Sequence, residues 1–266
     1  MKIALFFVVF CSQIFALSGL DLARNIVGDA KSSQLNLLFA HQNHTDGNGN
    51  LDLDKISRIL KTNSLLNLTL PSSRTLTLNF KAKGDAVLFF KIINEALSDA
   101  GYVYFTPTDL NLMQDSIDYT IQVESQYILD PGTFYRLLKS SSVYITNVKA
   151  LSKYDYAYEL DFGDARLKTN TNLPLNTPTK LEKPFKDYVL NLKGASTLLV
   201  EANAADNWFA KILFLDKNLG LIKAIKSTEK SNSLSQTIPS GAIYAIISDM
   251  YNLDNIRRGL TITLKK

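Results

Sequence analysis

The sequence predicts an α+β fold in three parts: an N-terminal helical segment, a small βαββαββ domain and a C-terminal antiparallel β-sandwich. Three observations predict it. Apolar residues recur at helical spacing through residues 17–65. Helical and alternating patterns then interleave over 66–167. From 184 to 266 only short alternating runs remain, separated by turn residues. The chain has 266 residues, 46% of them apolar, which suffices for two or three cores.

Residues 1–16 stand before these parts. Met1-Lys2, an apolar run over 3–10 and a segment ending in Ala16 read as a secretory signal peptide cut after Ala16. The run is too short to span a bilayer. Lipidation at Cys11 requires a small residue before it, and Phe10 stands there. The expected location is periplasmic or secreted, with no transmembrane anchor after signal cleavage. Cys11 is the sole cysteine and leaves with the signal. Disulfides, thiol catalysis and thiolate metal sites are thereby excluded from the mature chain. Loss of Lys2 leaves 28 basic against 25 acidic residues, dispersed and without basic runs, so no nucleic acid partner is expected.

In the helical region, Leu22, Ile26, Leu35, Leu38 and Phe39 have helical spacing. A polar break over 41–50 precedes a second helix carrying Leu53, Ile56, Ile59 and Leu60. Over 66–80, two alternating runs flank Pro71-Ser72-Ser73-Arg74, which predicts a hairpin. Val87, Phe90, Ile93 and Leu97 mark a helix stopped by Gly101. Strands are predicted at 102–105 and 117–123. Asp130-Pro131 opens a further helix, because proline suits the first helical position and aspartate caps the free amides. Strands follow at 143–148 and 154–162. In the last, Tyr154, Tyr156, Tyr158, Leu160 and Phe162 alternate with Asp155, Ala157, Glu159 and Asp161, one dry face and one wet. A Thr/Asn/Pro-rich linker covers 168–183. The sandwich domain, 184–266, contains predicted strands at 188–192, 197–201, 208–215, 221–226, 233–238, 242–248 and 260–264.

Asp46, Asn48, Asn50, Asp52 and Asp54 place oxygen ligands at alternate positions between two helices, a calcium-like loop. Its sixth position is Leu51 rather than glycine, and its twelfth is Ser57 rather than glutamate. The loop therefore reads first as a helix connection capped by Asp52 or Asp54, and calcium is the one possible cofactor. His41 and His44, the only histidines, read as polar residues at a helix end, with a weak zinc or copper site as the functional alternative. No Gly-x-Ser-x-Gly elbow and no Gly-rich phosphate loop occurs. A histidine-based triad would have to use one of two loop histidines. No enzyme activity is expected. Trp208 follows a turn at 204–207 and is the favoured surface aromatic for a protein partner or a glycan.

Three resemblances carry functional expectations. Leu76-Thr77-Leu78-Asn79-Phe80, the helix over 90–97 and the segment 128–138 resemble the βαββα modules of periplasmic secretin N-domains. That resemblance implies a docking and assembly role. The run 238–246 and the terminal Leu260-Thr261-Ile262-Thr263-Leu264 are similar to β-sandwich modules of secreted proteins, which bind proteins or glycans. The overall layout resembles secreted envelope and motility-associated proteins of flagellated epsilon-proteobacteria. These resemblances imply a non-enzymatic interaction or scaffold component of the cell envelope, accessory to flagellar motility or secretion. Its implied partners are envelope proteins; the alternative is a glycan- or peptidoglycan-binding module.

Overall fold

The architecture is that of a computed structural model, which describes residues 17–40, 43–169 and 173–266. The predicted signal over 1–16, His41 and residues 170–172 of the predicted linker lie outside the described residues.

The fold is α+β. Helix α1 (Gly19–Val27) begins in a reciprocal cap: the Ser18 hydroxyl accepts from the Asp21 amide at 3.1 Å, and the Asp21 carboxylate accepts from the Ser18 amide. Helices α2 (Ser32–Phe39) and α3 (Leu53–Thr62) follow. Their buried faces, Leu22 and Ile26, Leu35 and Phe39, and Leu53, Ile56 and Leu60, share one continuous core with the sheet that comes next.

That sheet contains β1 (Thr69–Lys83), β2 (Thr106–Met113), β3 (Ser116–Tyr127), β4 (Tyr144–Ala150) and β5 (Asp155–Asp161), in the order β2-β3-β1-β5-β4. Only β1 and β5 run parallel; the other neighbours are antiparallel. Helices α4 (Ala86–Asp99) and α5 (Pro131–Lys139) supply the crossovers and bury their apolar faces in the same core. Phe80 stacks on Tyr158 with centroids 5.4 Å apart and meets Phe134 at 5.7 Å. Alternation along the strands leaves Thr75, Thr77, Asn79 and Lys81 on the opposite, helix-free face.

Two predicted elements differ. The expected hairpin at 66–80 is one fifteen-residue strand, β1. Both of its halves pair with β3, and the register slips between Thr69 and Arg74. Pro71 lies in that irregular stretch, where a missing N–H costs the ladder least. The expected strand at 102–105 is a loop. Tyr102 anchors it, buried, with its hydroxyl donating to the Tyr127 carbonyl at 2.6 Å. The alternation predicted for 154–162 is present: Tyr156, Tyr158, Leu160 and Phe162 are buried, and Glu159 and Asp161 are exposed.

The Tyr158 hydroxyl is fully buried with no hydrogen-bond partner among the described residues. An unpaired buried hydroxyl costs stability. Tyr158→Phe is therefore expected to leave stability unchanged or raise it by about 1 kcal/mol. Chemical denaturation checks this; a loss above about 1 kcal/mol would mean the hydroxyl is paired in solution.

The C-terminal part contains β6 (Thr179–Lys180), β7 (Tyr188–Asn191), β8 (Thr197–Ala202), β9 (Phe209–Leu215), β10 (Leu221–Lys230), β11 (Ser233–Thr237), β12 (Tyr244–Asp249) and β13 (Leu260–Lys265). They form two four-stranded sheets, β10-β9-β12-β7 and β11-β8-β13-β6. Ile212, Phe214 and Ile247 of the first and Leu198, Val200 and Ile262 of the second share one core, as in a sandwich. The predicted linker is partly structured. Within it β6 pairs with β13, while just before it Leu167 is buried against Leu215 and Tyr244 and its amide donates to the Tyr244 hydroxyl at 3.2 Å. Lys186 bridges to Asp99 of α4 at 3.5 Å and to Glu95 at 3.7 Å.

Candidate functional site

The calcium-like loop is occupied by the protein's own donors. A bridge between Thr45 and Leu51 closes it. Inside, one Asp46 oxygen accepts from the amides of Asn48 at 2.9 Å and Asn50 at 3.1 Å. The other accepts from Lys139 Nζ at 2.6 Å and the Tyr135 hydroxyl at 3.1 Å, both on α5. Burial opposes the Asp46 charge, but the hydrogen bonds from Lys139, Asn48, Tyr135 and Asn50 outweigh it and hold the carboxyl below the usual aspartate value. Asn48 donates to the Tyr144 hydroxyl at 3.1 Å. Asp52 caps α3 through the Lys55 amide at 3.0 Å. Asp54 pairs with Arg58 at 3.0 Å and with Arg136. The side chains of Asp46, Asn48, Asp52 and Asp54 thus meet separate partners instead of one centre. Among the described residues, no group of three or more His, Cys, Asp or Glu side chains is arranged to hold a metal ion. The loop locks the first helices onto α5.

His44, expected on the surface, is buried, with its ring 4.6 Å from that of Phe39. It lies against Gly19, where a Cβ would come within 2.7 Å of the His44 Cβ.

Trp208 requires a correction. The expectation of an exposed aromatic fails, because Trp208 is 0% exposed. Its indole N–H donates to the Ser248 carbonyl at 2.9 Å, and its ring fills one end of the sandwich core. A glycan-stacking role for this residue goes with its exposure.

A further surface feature is the edge of the five-stranded sheet. The two edges differ. At β4 the sheet is closed off by α1, with Asn25 donating to Asn147 at 3.0 Å. At β2 no element among the described residues covers the edge, and all eight residues are exposed. Leu110 and Leu112 sit opposite the buried Tyr119 and Ile117, so they continue the helix-covered face past the reach of α4, at about half exposure. Val87, on the first turn of α4, is 59% exposed. At the start of β2, a concavity of about 600 Å³ is lined by Thr75, Tyr104, Thr106, Gln122 and Glu124. Tyr104 stands at its rim, 89% exposed.

The electrostatics of this edge are one-sided. Between Lys91 and Arg136 there is no basic residue, while seven acidic residues occur. Four of them, Asp109, Asp115, Asp118 and Glu124, lie on the β2–β3 hairpin. Asp118 is neutralised by Lys81 at 3.1 Å, whereas Asp109 and Asp115 form no ion pair among the described residues. The missing lysines and arginines were the sequence signal for this edge.

No protein-family model matches this chain, and no curated protein matches it. Among solved structures, a similarity extends to the structure of infectious bursal disease virus Gx strain, with 11% identity and a TM-score of 0.11. It covers 73% of this chain and 57% of that chain, so this chain spans somewhat more than half of that protein's length. A likeness of that size bears on neither fold nor function.

Proposed function

We propose that the chain is a non-enzymatic, exported interaction or scaffold component of the cell envelope, accessory to motility or secretion, which docks an extended segment of a partner along β2. Export rests on the signal-like residues 1–16. The docking role rests on one observation: β2 is an edge strand with all eight residues exposed and no cover among the described residues, in a sheet whose other edge strand, β4, is packed by α1. Such an edge offers a row of main-chain donors and acceptors, and an added strand satisfies them. Main-chain pairing supplies affinity, while Leu110, Leu112 and the concavity beside Tyr104 supply side-chain selectivity.

The test is photo-crosslinking in native cells, with a benzophenone side chain at Leu112 and a control at Leu37. Leu37 lies on α2 and is 84% exposed, so it reports non-specific collision. A discrete adduct from position 112 and none from 37 is the expected result. Equal labelling from both, or none from 112, would remove β2 as a docking edge.

A further inference from the structure

The occupant of β2 follows from charge. We infer that β2 of one copy pairs with β10 of a second copy, so that the chain assembles head to tail; the inference rests on the docking role of β2.

Strand β10 is the complementary edge. It terminates its sheet, and eight of its ten residues are exposed, with Ile225 and Ser227 half-buried. It carries Lys223, Lys226 and Lys230 and one acidic residue, Glu229. Lys226 lies directly across from Lys211 of β9, and like charges in that position destabilise a strand pair. None of these four lysines forms an ion pair among the described residues; Lys223 meets only the Gln236 side-chain oxygen at 3.3 Å. The β10 edge thus carries three lysines against one acid, Glu229, with no ion pair among the described residues, and the β2–β3 hairpin is an anionic row whose Asp109 and Asp115 form none either. Each also bears exposed apolar residues, Leu221 and Ile222 on β10, Leu110 and Leu112 on β2. The strands are of similar length, ten and eight residues.

Charge also selects against the alternatives. Two β2 edges would bring Asp109, Asp115 and Asp118 of both copies together, and two β10 edges would oppose six lysines. Lysine on an edge strand resists a like edge, and opposite charges facing each other across a strand pair favour it. The imbalance extends through each part: residues 17–169 hold 15 basic and 17 acidic residues, and residues 173–266 hold 13 and 8. Within one copy β2 and β10 belong to different sheets and are not neighbours. Pairing unlike edges is heterologous, so each added copy exposes one further edge of each kind, and the assembly grows as a chain or closes as a ring. That is the geometry of a scaffold.

Sedimentation velocity on the purified protein tests this. At low ionic strength, species larger than the monomer should grow with concentration, and about 0.5 M salt should shrink them. Two variants at exposed positions isolate the edges: Asp109→Lys with Leu112→Lys blocks β2, and Lys223→Glu with Lys226→Glu blocks β10. Each alone should be monomeric, because its two edges then carry like charge, and an equimolar mixture should assemble again, because the reversed edges are as complementary as the native ones; a mixture that stays monomeric contradicts pairing by charge. A wild-type protein that stays monomeric at low salt overturns the inference. So does a dimer of either blocked variant alone, which would mean like edges pair. If the wild type is monomeric while position 112 still crosslinks to a different protein, docking through β2 stands and self-assembly falls.

Discussion

Trp208→Ala should lower stability by about 4 kcal/mol, the largest effect of any single substitution considered for this chain. The side chain is completely enclosed by the sandwich core, so truncation removes its transfer energy and leaves a cavity. It also abandons the Ser248 carbonyl, which accepts the indole N–H in a buried site. The neighbouring turn is fixed by a second buried element, Asp206, whose carboxylate takes the Arg258 guanidinium at 2.5 Å and the Arg258 amide at 3.0 Å, and this leaves little freedom for collapse around a void. Urea denaturation followed by circular dichroism measures the change. A loss under about 0.5 kcal/mol is the behaviour of a surface residue and would contradict the burial. Trp208 is the only tryptophan, so wild-type fluorescence gives an independent check: emission should be blue-shifted and resistant to iodide.

Asp46→Ala comes next, at about 3 kcal/mol. The carboxylate is nearly enclosed, at 4% exposure, and removing it strands the Lys139 ammonium, the Tyr135 hydroxyl and two loop amides. Lys139 is 39% exposed and can turn to water, which keeps the loss at the lower end for a broken buried pair. The effect is pH-dependent. The folded protein holds the Asp46 carboxyl below 3.8, so its contribution is complete above that value and disappears as pH falls through the folded value. Asp130 adds in the same direction: burial opposes its charge, and hydrogen bonds from Lys61, Ser57 and Thr133 outweigh that. Wild-type stability should therefore fall below about pH 4, and Asp46→Ala should fall less over the same range. Melts at stepped pH check the difference; parallel curves for the two proteins would contradict it. Because Lys139 already occupies the carboxylate, millimolar calcium should leave the wild-type melting midpoint unchanged.

Local signals in the sequence were legible wherever a few neighbouring residues decide the structure. Asp130-Pro131 opens α5 as expected, with Asp130 accepting from the Gly132 amide at 3.0 Å. Asp52 caps α3, and the tyrosine-rich alternation of β5 buries the face it should. What was not legible depends on contacts distant in sequence. The turn chemistry of Pro71-Ser72-Ser73-Arg74 was outweighed by β3, which pairs with both flanks. The acidic loop has the composition of a cation site, yet α5, some 90 residues on, supplies the cation as Lys139. Trp208 follows a polar turn that looks exposed, and only the folding of β12 and the turn over 252–255 around it buries the ring. Strand β2 has no buried residue, so it leaves almost no periodic signal, and its place at the sheet edge is a property of topology alone.

Amide hydrogen exchange along β2, read by NMR on dilute protein, tests the open edge most directly. Over 109–113 the strand pairs with β3 in unbroken register, so alternate amides bond to β3 while the others point outward. The expected pattern is alternating protection, with the outward amides exchanging as solvent-exposed groups and slowing when an occupant is added. Uniform protection in dilute protein would mean the edge is closed, and uniform fast exchange would mean the strand is not formed; either result contradicts docking along β2.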